Sequence, residues 1–167
     1  MSNMVIESGD FRKVLGKYPT GVTLVSSQDD QGPFAMVIGS FGSVSLDPPL
    51  VQFMPAKNSG TWSRIKKTGR YCVNVLGEHQ LDLSNSFFNK EKDPFEAIQW
   101  SESTLGSPII EGCIAWIDCS IGDVHEAGDH CIVIGEVHGI GASEQDDGPL
   151  LFLGGSYGSF NNDTGGE

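Results

Sequence analysis

Hydrophobic and polar positions alternate along much of this chain, and where the alternation stops short runs with a helical period replace it. Ser8, Gly9 and Asp10 ahead of FRKVLGKY read as the cap of a short amphipathic helix that ends at Pro19. TGVTLVSS then alternates with the period of two of a half-buried strand, and QDDQG supplies a turn. PFAMVIGSFGSVS alternates less cleanly and is rich in Gly and Ser; DPP halts it before LVQFMP, another strand. In NSGTWSRIKKTG, Asn58 or Ser59 can cap a short helix whose Trp62 and Ile65 share one face. YCVNVL reads as a strand and GEHQLDLSNSFFNK as a helix. Residues 89–112 read as a long connection with apolar anchors Phe95, Ile98 and Trp100. CIAWIDCSIGDVHEAGDHCIVIGEVHGI predicts two long strands joined by a tight turn at residues 126–129, and PLLFLGG predicts a last strand.

Close-spaced strands with a few short helices predict a mainly β fold, an antiparallel six-stranded barrel. Residues 1–160 are expected to form one domain and residues 161–167 a frayed tail. A chain of 167 residues is long enough to bury roughly two thirds of its unfolded surface. With 38% hydrophobic and 19% charged residues, disorder of the whole chain is not expected. The longest apolar runs, such as residues 131–134 and 150–153, are strand-sized, and MSNMVIESGDFRK lacks a secretory pattern. A soluble cytoplasmic protein with no membrane partner is the expectation. Cys72, Cys113, Cys119 and Cys131 form no C-x-x-C and sit in apolar or alternating runs, so they read as small buried hydrophobes in a reducing compartment.

Charge narrows the function. The net charge is −12, and residues 93–167 contain no Lys or Arg at all. No basic stripe is available for a nucleic acid, which is therefore not expected as a partner. Lys57, Arg64, Lys66, Lys67 and Arg70 hold half of the basic charge, so a small anion must be held there or by backbone amides; otherwise the segment is a solvated helix face. His125, His130 and His138 are spaced by an odd and an even interval, so a regular hairpin cannot put all three on one face, and no metal site is expected. GIGASE lacks the third glycine of a dinucleotide fingerprint, and neither a P-loop nor a zincin or nucleophile-elbow motif is present. Most hydrolases and P-loop enzymes are thereby excluded, and flavin chemistry is not.

Three segments could build a pocket. GSFGSVS, residues 39–45, spaces serine hydroxyls between glycines that let backbone N–H groups approach a ligand. Lys57, Asn58, Ser59, Gly60 and Thr61 open the predicted helix, where free N–H groups and the helix dipole favour a phosphate. Gly128, Asp129 and His130 lie at a hairpin turn that would leave an imidazole at a barrel rim. Each alone is more often a turn or a cap; together they suit a phosphorylated, polar-edged ring system.

The chain resembles the short flavin reductases, the small NAD(P)H-dependent components of two-component flavin monooxygenases. The stretches that carry the likeness are FRKVLGKYPTGVTLVSS, SFGSVSLDPPLVQF, NSGTW, GRYCVNVL, LGSPIIEGCIAWIDCSI, AGDHCIVIGEV and PLLFLGGSYGSF, in order and over nearly the whole chain. The resemblance implies an FMN-binding split barrel, usually a homodimer, that reduces FMN or FAD with NADH or NADPH and passes reduced flavin to a partner oxygenase. It implies that residues 37–45 (Val37, Ile38, Gly39, Ser40, Ser43, Val44 and Ser45) line the ring and ribityl chain, and that Asn58, Ser59 and Thr61, with Lys57 nearby, hold the phosphate. It places His130, with Gly128 and Asp129, beside the nicotinamide as the catalytic residue, and Phe87 and Tyr157 at the pocket edge. Family members commonly have Thr, Asn and Thr where this chain has Val37, Gly39 and Gly42, which shifts flavin contacts toward backbone amides. The same fold could instead retain its flavin for another substrate, or serve as a non-catalytic flavin- or haem-binding accessory module.

Overall fold

The computed structural model describes residues 6–89, 91–144 and 147–160, and the predicted frayed tail lies outside them. In chain order the elements are α1 (Ser8–Leu15), β1 (Thr20–Gly21), β2 (Thr23–Asp29), β3 (Gly32–Ile38), β4 (Gly42–Leu46), β5 (Pro49–Phe53), α2 (Gly60–Thr68), β6 (Arg70–Val75), α3 (Leu81–Ser86), β7 (Trp100–Glu102), β8 (Pro108–Ile110), β9 (Ala115–Ala127), β10 (His130–Ala142), β11 (Leu151–Leu153) and β12 (Ser156–Gly158). The main antiparallel sheet runs β3-β2-β6-β9-β10-β5-β4. It has seven strands rather than the six expected, because PFAMVIGSFGSVS does not fold as one strand. It breaks at residues 39–41, and its halves, β3 and β4, lie at opposite edges of the sheet. The architecture is the mainly β split barrel, and the segment that crosses its split is GSF.

Alternation along β2 explains how the sheet is covered on both faces. Val25 enters a core with Phe34, Phe53, Trp62, Ile65, Tyr71, Val73 and Val133, while its neighbour Leu24 enters a second with Val22, Leu76, Phe95, Ile110 and Leu150. Helix α2 plugs the first core with Trp62 and Ile65, and Ser59 Oγ accepts the Trp62 N–H at 3.2 Å, as its sequence predicts. All four cysteines are free and buried.

Three local expectations change. Helix α1 starts at Ser8 itself after Glu7, with no side-chain cap, and ends at Leu15, where Gly16 N–H donates to Arg12 O at 2.8 Å. GEHQLDLSNSFFNK is a 3₁₀ turn (Glu78–Gln80) followed by the short α3. The connection 89–112 contains the β7–β8 hairpin, held by buried polar groups of the sheet. Asn74 Oδ1 accepts the Ile110 N–H at 2.8 Å, and the buried Asp118 carboxylate accepts from Ser103 Oγ at 2.7 Å and the Leu105 N–H at 2.9 Å. No helix among the described residues is long and apolar enough to cross a membrane.

Candidate active site

β10 pairs with β5, and that pairing carries the β9–β10 turn onto the loop before α2. Cys131 N–H donates to Pro55 O at 2.9 Å, Ala56 bridges His130, and Lys57 N–H donates to Asp129 O at 3.0 Å. Side chains add an ion pair, Lys57 Nζ to Glu126 Oε2 at 2.8 Å, and a hydrogen bond, His130 Nδ1 to Asp129 Oδ1 at 2.7 Å. The hydrogen bond from Lys57 holds the Glu126 carboxyl below its ordinary pKa, and that from His130 does the same for Asp129. Half of the His130 side chain remains exposed, so its ring stands at the rim.

The GSF crossing joins the same cluster. Ser40 Oγ accepts the Met54 N–H at 3.0 Å and donates to Met54 O at 3.2 Å, which fixes the crossing beside Pro55 and the α2 loop. At α2, Ser59 takes the Trp62 N–H, and Gly60 and Thr61 form the open first turn whose N–H groups an α-helix leaves without intrahelical acceptors.

Next to the crossing is a cavity of about 270 Å³ lined by Thr20, Gly21, Val22, Val37, Gly39, Phe88, Phe152 and Tyr157. Gly39 is tight against β1: a β-carbon there would meet Thr20 Oγ1 at 2.9 Å, so Thr20 fills the space a side chain at 39 would need. A β-carbon on Gly42, by contrast, would meet nothing within 4 Å.

The structure thus brings Ser40, Lys57, Asn58, Ser59, Gly128, Asp129 and His130 to one rim, and Val37, Gly39 and Tyr157 to the adjoining cavity. Thr61 lies in the first turn of α2. Ile38 points into the barrel core, and Ser43, Val44 and Ser45 lie on the edge strand β4. Phe87 turns inward onto Phe95, ring centroids 5.6 Å apart, and its neighbour Phe88 lines the cavity instead. Thr20, Val22, Phe88 and Phe152 were not legible as site residues. α3 stops at Ser86, so no helical phase tells which of the two phenylalanines faces in. The other three histidines have other neighbours: His138 Nε2 is 2.8 Å from Ser120 Oγ, His125 sits opposite Ile132, and His79 Nδ1 is 3.6 Å from Asp147 Oδ2.

The flavin reductase-like domain model matches residues 15–161. The chain belongs to that family. A flavin reductase of Pseudomonas putida is 50% identical over 151 residues, 90% of this chain and 88% of the relative. An FMN reductase (NADH), SmoA of Agrobacterium fabrum, is 39% identical over 153 residues, 92% of this chain and 86% of the relative. Among solved structures, nitrilotriacetate monooxygenase component B from Mycobacterium thermoresistibile superposes with a TM-score of 0.91 at 44% identity, covering 95% of this chain and 89% of that one. This member of the family is accordingly an oxidoreductase acting on flavin, and the rim and cavity at its split are its candidate active site.

Proposed function

We propose that this flavin reductase carries hydride from NADH to FMN, or to FAD, at the barrel split and releases the reduced flavin to a separate oxygenase. One observation supports the reading most: a cationic, amide-rich loop, the Asp129–His130 turn and an aromatic-walled cavity meet at a single crossing of the chain. In this reading Lys57, Asn58, Ser59 and Thr61 hold the flavin phosphate. Residues 37–45 run along the ribityl chain and ring, with Ser43 and Ser45 as side-chain hydroxyls and the bare Gly42 allowing close approach. Val37, Phe88, Phe152 and Tyr157 offer the apolar walls that a flat ring requires.

Bound flavin supplies a two-electron acceptor that takes the nicotinamide hydride, with a solvent proton completing the reduction. The chain has to orient two rings and keep water from between them, a task needing no nucleophile. His130 does the orienting. Asp129 accepts from Nδ1–H, which fixes the tautomer and leaves Nε2 free to accept a hydrogen bond from the nicotinamide carboxamide. NADH is favoured over NADPH because residues 93–167, which include the His130 turn, have no Lys or Arg to pair with a 2′-phosphate. The relative SmoA is itself named for NADH. A homodimer is the proposed assembly, supported by the unburied apolar side of α1.

The test is loss of NADH absorbance by the purified protein with FMN, then FAD, added. Turnover that depends on free flavin is expected. Flavin that stays bound through slow turnover would instead mean a retained cofactor, and binding without turnover an accessory module. His130→Ala is expected to raise the KM for NADH several-fold and to change the Kd for FMN little. Unchanged KM and kcat would remove His130 from the mechanism.

A further inference from the structure

The Lys57 ammonium, assigned above to the flavin phosphate, is not free. It forms an ion pair with Glu126 Oε2 at 2.8 Å, reaching from the α2 loop to the end of β9. The Glu126 side chain is 80% exposed and that of Lys57 34% exposed, so the pair lies at the surface, open to an incoming anion. The backbone fixes this encounter: the Lys57 N–H bond to Asp129 O holds the loop and the hairpin tip together. The other carboxylate at the tip, Asp129, already has His130 as its partner.

We infer that Glu126 sets how loosely the flavin phosphate is held, by competing with it for Lys57. The inference rests on the reading of Lys57 as a phosphate contact. A phosphate arriving at Lys57 either displaces the carboxylate or shares the ammonium with it. In the first case the Lys57–Glu126 pair is lost; in the second, two anions lie within a few ångströms and repel. Both make Glu126 weaken binding of the phosphorylated ligand, and neither touches the ring. The device suits an enzyme whose reduced product must leave, because a carboxylate is ready to take back the lysine as the phosphate departs.

The test is flavin affinity, measured by quenching of flavin fluorescence at low ionic strength, for FMN and for riboflavin, which lacks the phosphate. An exposed ion pair of this kind predicts that Glu126→Gln tightens FMN roughly two- to fivefold and leaves riboflavin unchanged. Lys57→Met is expected to weaken FMN, and a smaller effect of Glu126→Gln in the double variant measures how much of it passes through Lys57. If Lys57→Met weakens FMN but Glu126→Gln does not tighten it, or tightens riboflavin equally, the role of Glu126 is overturned and the phosphate reading survives. If Lys57→Met leaves FMN affinity intact, the phosphate reading itself fails and takes the inference with it.

Discussion

Tyr71 is the largest fully buried side chain among the described residues, and its hydroxyl, with the Cys119 thiol beside it, has no hydrogen-bonding partner among them. Burial pushes the Tyr71 pKa far above that of an exposed phenol and the Cys119 thiol up to about 12, so neither ionises in the native protein near neutrality. The ring also dictates a residue on another strand. A β-carbon at Gly135 of β10 would overlap the Tyr71 hydroxyl and lie 2.8 Å from its Cζ. Gly135→Ala is therefore expected to destabilise the fold by about 1–3 kcal/mol through overpacking. Tyr71→Phe removes an unpaired buried hydroxyl and is expected to be neutral or stabilising by up to about 1 kcal/mol. In the Gly135→Ala background the same change should recover part of the loss. Denaturant unfolding of the four proteins of this cycle measures the coupling, and strictly additive effects would mean that the tyrosine does not specify the glycine.

Between elements, Arg64 is the clearest fastener. It donates to both oxygens of Asp29, at 2.9 and 2.7 Å, and lays its guanidinium 3.8 Å from the centre of the Phe34 ring, pinning α2 to the β2–β3 hairpin. The Arg64 hydrogen bonds hold the Asp29 pKa below its ordinary 3.8, against a smaller opposing effect of burial. A carboxyl with a depressed native pKa contributes stability above the unfolded value and loses it as pH falls through the native one. Asp29→Asn should thus lower the Tm at neutral pH, with the deficit shrinking below about pH 4 as the wild-type carboxyl protonates. A deficit that stays constant into acid would assign the loss to packing instead. Elements fixed by local chemistry were legible in the sequence. The Ser59 cap of α2 and the turn of the long β9–β10 hairpin need only their own residues. The β7–β8 hairpin was not legible, because three-residue strands are too short to show a period and their position comes from Asn74 and Asp118 far away in sequence. The break at residues 39–41 was hidden for a similar reason: the crossing is fixed by Ser40 bonding to Met54. Lys57 and His130 could be singled out by residue type, but their meeting depends on β5 pairing with β10.

Across the described residues of the whole molecule, α1 presents an apolar face that the fold leaves exposed. Helix α1 buries no residue, and Phe11, Val14 and Leu15 on it, with Tyr18 just beyond, are all exposed, Val14 at 67% and Tyr18 at 72%. The end of the helix is tied to the β11–β12 turn, where Gly154 N–H donates to Gly16 O at 2.9 Å. That turn follows β11, whose exposed Leu153 and Phe152 point to opposite faces of the strand, Phe152 into the wall of the candidate active-site cavity. Contiguous apolar surface of this kind marks an interface, and in the proposed homodimer a second copy covers it. Light scattering at micromolar concentration should then give twice the 17.9 kDa mass of one chain. Phe11→Glu combined with Val14→Glu should give a single chain mass. Because neither side chain is buried within the chain, the barrel itself has nothing to lose from the change, and the circular dichroism spectrum should be retained. A dimer that survives both charges would move the interface elsewhere on the barrel, and a wild-type monomer would remove it. Since Gly154, which ties down the end of α1, lies two residues from Phe152 of the cavity wall, a monomeric double variant is also expected to show a raised KM for flavin. An unchanged KM would mean that each barrel completes its own site.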